Sequence, residues 1–121
     1  MDYADLTEII IGCAYRVYNT LGSGFLESVY EKSLVIEIQK KLLVESQKAI
    51  DVYYDAQLVG SFFADLVVEN TVIVELKAVR TLTPAHEVQL VNYLAATKLP
   101  VGLLINFGES KVEIKRKLLC F

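Results

Sequence analysis

The run Val101 to Phe107, VGLLINF, is apolar with no alternation of polar positions, the pattern of a strand buried on both faces. It follows a segment that opens at Thr83-Pro84, where a capping hydroxyl stands just before proline at the first helical position. A helix is predicted from Pro84 to about Lys98, and Pro100 follows its end. Upstream, Thr71 to Val79 reads as a strand rich in Val and Ile. A strand, helix, strand crossover of this kind implies parallel pairing between Thr71 to Val79 and Val101 to Phe107. The sheet should therefore be mixed, with helices packed on it.

The rest of the chain fits around that unit. Asp5 to Leu21 carries Leu6, Ile9, Ile10, Cys13, Val17 and Leu21 at helical spacing, which predicts a first helix. Gly22-Ser23-Gly24 breaks it, Ser23 or Gly24 can cap the next, and Phe25 to Lys41 restores the period through Leu26, Val29, Tyr30, Leu34 and Ile38. Ile50 to Tyr54 reads as a strand, Asp55-Ala56-Gln57 as a turn, and Leu58 to Val68 as a second strand joined to the third through Glu69-Asn70. A last strand is predicted over Lys111 to Lys115. The order is helix, helix, strand, strand, strand, helix, strand, strand. No repeat, low-complexity stretch or linker interrupts the 121 residues, so one domain over 1–121 is expected.

Composition narrows the function classes. With 54% hydrophobic and 22% charged residues the chain is neither disordered nor collagen-like. A domain this size can bury a core without disulfide or zinc staples. Cys13 and Cys120 stand near opposite ends with no CxxC partner and a single histidine elsewhere, which argues against structural zinc. Such sparse cysteine fits a reducing cytoplasm, although the two could pair if the fold brought them together. The start, MDYADLTE, is acidic where a secretory signal is basic, and no apolar run is long enough to cross a bilayer. A net charge of −3 excludes coating of polyanions by bulk electrostatics. It leaves room for an enzyme that meets nucleic acid locally.

Charges stand where apolar residues are expected. Asp65 interrupts SFFADLVVE, and Glu75 and Lys77 interrupt TVIVELKAV. Glu75 and Lys77 are two apart and leave the same face of a strand. If the connecting loop has an odd number of residues, such as Glu69-Asn70-Thr71, Asp65 lies opposite Glu75 and Phe63 opposite Lys77; an even loop pairs Asp65 with Val74 and points the acids apart. Two facing carboxylates repel unless a cation lies between them, and a hard oxygen-seeking ion such as Mg2+ suits that place. The plainer reading of Glu75 and Lys77 is an exposed face with a cross-strand ion pair.

Gly24 to Tyr30, GFLESVY, has the pattern of the GxxExxY protein family. Asp65 with Glu75-Leu76-Lys77 is similar to the signature of the PD-(D/E)XK nuclease superfamily, to which that family is assigned. The likeness continues through LTPAHEVQLVNYL and VGLLINFG, so it covers nearly the whole chain. The resemblance implies an α/β, restriction-endonuclease-like core in the order read above. It implies that Asp65 and Glu75 bind Mg2+ or Mn2+, with the carbonyl of Leu76 as a further ligand and Glu27 completing the shell. Lys77 then orients or activates the attacking water. Ala64 stands where the signature has proline. Gln89 and Tyr93 resemble the Q-x-x-x-Y motif found beside the active site of exonuclease-type members.

Four neighbours complete the set, and His86, Gln89 and Tyr93 among them carry two readings each. Tyr30, three residues after Glu27, is expected on the same helix face. His86 shares the face of Gln89 and is either a proton carrier or phosphate contact, or a solvated residue in the first helical turn. Gln89 and Tyr93 are site residues or the polar rim of a core helix. The activity implied is metal-dependent hydrolysis of phosphodiesters in DNA or RNA. The alternative is a catalytically inactive module binding nucleic acid or a partner protein, or a purely structural interaction domain. Basic clusters are modest, Lys40-Lys41 and Lys115-Arg116-Lys117, so a grip on a duplex calls for a homodimer or a partner subunit.

Overall fold

The computed structural model describes residues 1–119. Cys120, and with it any pairing to Cys13, lies outside the described residues; Cys13 itself is buried. The chain runs α1 (Tyr3–Leu21), α2 (Glu27–Ile38), β1 (Val44–Tyr54), β2 (Gln57–Val68), β3 (Val72–Lys77), α3 (Pro84–Thr97), β4 (Val101–Phe107) and β5 (Val112–Leu118). This is the expected order. The strands form one sheet, β1-β2-β3-β4-β5. Every neighbouring pair is antiparallel except β3 and β4, which the α3 crossover makes parallel, with Glu75 beside Leu104 and Lys77 beside Asn106. It is a mixed α/β sheet with three helices, of the restriction-endonuclease-like kind.

The two faces of the sheet hold separate apolar clusters. Leu6, Ile10, Cys13, Ala14 and Val17 of α1, with Tyr30, Leu34 and Ile38 of α2, pack on Val72, Val74 and Leu76 of β3 and on Leu103 and Ile105 of β4. On the other face Leu90, Tyr93 and Leu94 of α3 pack on Ile73 of β3, Leu104 of β4 and Val67 of β2. Alternation along β3 and β4 therefore feeds both clusters, which is why β4 is buried at every position. No helix among the described residues is long and apolar enough to cross a membrane.

Several boundaries differ from those expected. α1 begins at Tyr3 because the Asp2 carboxylate accepts the Asp5 N–H at 2.8 Å and caps it two residues earlier. α2 is shorter at both ends than Phe25 to Lys41. Its N-cap is Leu26, not Ser23 or Gly24, since Gly24 sits at φ +100 and Leu26 is still extended. β1 starts at Val44, well before Ile50, because its first half is an exposed edge held by pairing to β2 and carries little apolar signal. Gln57 belongs to β2; the turn is Asp55-Ala56, both at positive φ. β3 ends at Lys77, and Val79 beyond it is held by a side chain: Asn106 donates to the Val79 carbonyl at 2.8 Å and accepts its N–H at 2.9 Å. β5 runs to Leu118, past the expected Lys115. Thr83 and Pro84 open α3 as expected, and Lys98 closes it at φ +62.

Gly102 of β4 lets α3 lie close on the sheet. A Cβ there would stand 2.6 Å from Leu90 Cδ1 and 2.9 Å from its Cγ, and Leu90 is fully buried. Gly102→Ala is expected to destabilise the protein by about 1–3 kcal/mol, read as a lower urea midpoint with an unchanged m-value.

Candidate active site

β2 and β3 part company just where the charged residues stand. Their pairing runs from Val68 opposite Val72 to Leu66 opposite Val74 and stops. The three-residue loop Glu69 to Thr71, with Glu69 and Asn70 at φ +51 and +48, sets the odd-loop register, so Asp65 comes beside Glu75. Here side chains replace the ladder. Asp65 Oδ2 accepts the Leu76 N–H at 2.8 Å, and the Asp65 N–H reaches Glu75 Oε1 at 3.4 Å, a long and weak contact.

Phe63, expected opposite Lys77, pairs with Ala49 of β1 instead and is 58% exposed. The reason is a turn of the β1–β2 ribbon. Leu66 and Val68 join the cluster under α1 and α2, whereas Ala64 and Ile50 join the cluster under α3. The buried side of the ribbon changes across Asp65 and across Gln47, which sits between the pairs Ser46–Leu66 and Lys48–Ala64 at φ +52.

Side chains from both faces of the sheet meet at the gap. Glu27 is the first residue of α2 and Glu31 lies one turn on. Gln47 bridges the acids, donating to Glu31 Oε1 at 2.9 Å and to Asp65 Oδ1 at 3.3 Å, and Ser46 donates to Glu31 Oε2 at 3.3 Å. From the α3 side comes Tyr93, whose hydroxyl accepts from Gln89 Nε2 at 3.2 Å.

The electrostatics follow from crowding acids around one lysine. Glu75 is buried, 5% exposed, and burial first, then the charge of Asp65, push its carboxyl up to about 9, with Lys77 opposing. It holds its proton at neutral pH. Partial desolvation raises Glu27, opposed by Lys77 and reinforced by Asp65 and Glu31. Glu31 is raised by desolvation and by Asp65, and the bonds from Gln47 and Ser46 pull it back. Desolvation and the Glu75 charge raise the Tyr93 hydroxyl. Thus Glu27, Asp65, Glu75, Lys77 and Tyr93 share one electrostatic neighbourhood, joined by Glu31.

Other expected residues lie elsewhere or act differently. Tyr30 is fully buried and takes no part in the acidic cluster. Its hydroxyl donates to the Gly22 carbonyl at 2.6 Å and accepts the Phe25 N–H at 3.3 Å, while its ring stacks on Phe107 at 4.4 Å. It therefore fixes the loop that delivers Glu27. His86 uses Nδ1 to accept the Thr83 N–H at 3.1 Å and so helps cap α3. The Leu76 side chain is core, and its N–H is the group that Asp65 holds. Lys40 and Lys117 of the basic clusters pair with Glu37 at 3.1 Å and Glu87 at 2.8 Å.

Glu31, Gln47 and Ser46 were not singled out by sequence. Glu31 carried a signal, being four residues from Glu27 on a helix. Gln47 and Ser46 carry none, because they stand in the exposed edge half of β1, which lacks an apolar pattern. Among the described residues, no group of three or more His, Cys, Asp or Glu side chains is spaced to hold a metal ion as it stands. Hydrogen bonds to Leu76 and Gln47 occupy Asp65, and those from Gln47 and Ser46 hold Glu31. The donor chemistry nevertheless suits a hard divalent cation, since it consists of carboxylate oxygens, one buried and short of positive charge.

The sequence matches the family model of the PD-(D/E)XK nuclease superfamily over residues 4–117, and the chain belongs to that superfamily. Among solved structures it is similar to the crystal structure of SSO0001, with a TM-score of 0.63 and 15% identity. That match covers 98% of this chain but only 60% of the other, so the likeness is one of fold. No curated protein matches the sequence at a significant level.

The Glu75 carboxyl makes a stability prediction with a definite sign. Its folded value, about 9, lies above its ordinary 4.5, so the folded state binds the proton more tightly. Its contribution is whole below about pH 4.5 and is lost as pH rises through about 9. Glu75→Gln is a neutral mimic of the protonated acid. In EDTA the variant should unfold at higher urea than the parent at pH 8, by on the order of 2 kcal/mol, and should show a shallower loss of stability between pH 5 and 9.

Proposed function

We propose that this chain is a metal-dependent nuclease of the GxxExxY type, a single nuclease-like domain over 1–121 that hydrolyses phosphodiester bonds in DNA or RNA. What supports the reading is the contact of Asp65 with Glu75 at the point where β2 leaves β3, with Lys77 acting on Glu75 and on Glu27 through its charge. Membership of the superfamily supports it. Glu27, Asp65, Glu75 and the Leu76 carbonyl are the groups that would hold Mg2+ or Mn2+. When bound, such an ion supplies positive charge at the phosphate and lowers the pKa of a water.

The chain's own residues do the remainder. Lys77 acts on both Glu27 and Glu75, and its ammonium offsets the acids while offering a donor to a phosphate oxygen or to the attacking water. Glu75, protonated in the free protein, must release its proton to become a ligand, so activity should rise with pH. Gln89 and Tyr93 present an amide and a hydroxyl at the α3 side of the gap, suited to orienting the substrate. Glu31 holds Gln47 against Asp65 and is a positioning residue. The superfamily reading carries nucleic acid as the partner, with a second copy or another subunit extending the contact, in the cytoplasm.

A second reading has its own observation. Asp65 already serves the backbone of β3, and no three acids are spaced as a ready cage among the described residues; this favours an inactive module that keeps the fold and binds nucleic acid or a protein. Calorimetry with Mg2+ and Mn2+ separates the two. The nuclease reading expects saturable binding that Asp65→Asn and Glu75→Gln abolish, together with metal-dependent cleavage that Lys77→Ala reduces at least about 100-fold. Metal-independent binding of nucleic acid, with no cleavage of single- or double-stranded DNA or RNA, would establish the module instead.

A further inference from the structure

Between α3 and the outer half of the β1–β2 ribbon runs an open groove of about 680 Å³. The rings of Tyr53, Phe62 and Tyr93 line it together with Val88, and the amides of Gln89 and Asn92 open into it. The Phe62 and Tyr93 rings stand 5.8 Å apart and tilted by 40°. Tyr53 is 62% exposed and Phe62 46%, an unusual commitment of large rings to solvent. No charged residue is among those lining the groove, so it suits a neutral, flat group and not a phosphate. Tyr93 links it to the acidic cluster, since it lines the groove and lies in the same buried cluster as Ala64, the neighbour of Asp65 in β2.

We infer that this groove receives an unpaired nucleobase of the strand whose phosphate lies at the carboxylates, so that the substrate is single-stranded. The inference rests on the nuclease reading for the position of the phosphate. Aromatic faces stack on any base, and primary amides can meet its edge with both donor and acceptor. A base inside a duplex presents neither its face nor its pairing edge. A second groove, of about 580 Å³, is bordered by Leu26 and Ala78, the chain neighbours of Glu27 and Lys77, and by Arg80 and Glu109.

The test is fluorescence anisotropy of the full chain with labelled oligonucleotides of about 12 nucleotides in Ca2+, an oxygen-seeking ion that can occupy the acids. The single strand should bind about tenfold or more tighter than a duplex of the same length, and tighter than an abasic strand carrying the same phosphates. Phe62→Ala and Tyr53→Ala should each weaken single-strand binding about tenfold, with sedimentation and melting temperature close to those of the parent. Equal binding of the abasic strand overturns the inference, as does unaltered binding by both variants. A parent dimer that Phe62→Ala dissociates without changing nucleic-acid binding also overturns it, by placing a second copy in the groove. Cleavage that ignores strandedness and both variants would sink the groove and spare the nuclease. Base-dependent binding without cleavage would do the reverse.

Discussion

The Asp65 carboxylate does for β3 what the backbone of β2 no longer does. Past Leu66 and Val74 the two strands diverge, and the Leu76 N–H would be left without a partner in a nearly waterless position. A buried, unpaired N–H costs about 1–3 kcal/mol, and a charged acceptor makes the stronger type of bond. By accepting that N–H at 2.8 Å, Asp65 lets the sheet open without that loss. The opening admits side chains from both faces of the sheet, and the same residue that makes it tolerable becomes one wall of the site. Structure and chemistry are thus tied to a single carboxylate, with a conflict built in: any ion drawing Asp65 away competes with the N–H it holds.

The glycine, acid and tyrosine of GFLESVY divide the labour of presenting one carboxyl group. Gly24 adopts φ +100, which side chains oppose, and turns the chain between the helices. Tyr30 ties Gly22 and Phe25 to the core through one hydroxyl and stacks its ring on Phe107. Only Glu27 reaches the acidic cluster. Asn106 plays a comparable part beyond β3, its amide replacing a strand partner for Val79 and donating to Glu113 at 3.0 Å. Buried polar side chains here mainly substitute for missing backbone partners, and the catalytic proposal depends on how firmly they do so.

Excess negative charge in a partly dry gap is met in the free protein by a proton as well as by a counter-charge. Lys77 offsets part of it, and Glu75 meets the rest by holding its proton. A cluster of this kind opposes the approach of a phosphate until a cation or proton neutralises it. On the proposed function, that would let an acidic protein meet a polyanion without a large basic face, while basic side chains such as Lys40 and Lys117 are engaged in ion pairs elsewhere.

Local pattern carried the helices with apolar faces, the Thr-Pro opening of α3, the buried β4 and the order of all eight elements, because each rests on neighbours in sequence. The same pattern was silent over Val44 to Ala49, where an edge strand is kept by pairing and not by burial. It marked Asp65, Glu75 and Lys77 as charges out of place, yet left the register open between two loop lengths. Tertiary structure chose the odd loop, ended the β2–β3 ladder at Leu66, and brought Glu31 and Gln47 in from other elements. It also withdrew Tyr30 into the core. Periodicity reports which side of an element avoids water, whereas the distance between side chains on different elements depends on strand twist, loop conformation and packing, which only the folded chain defines.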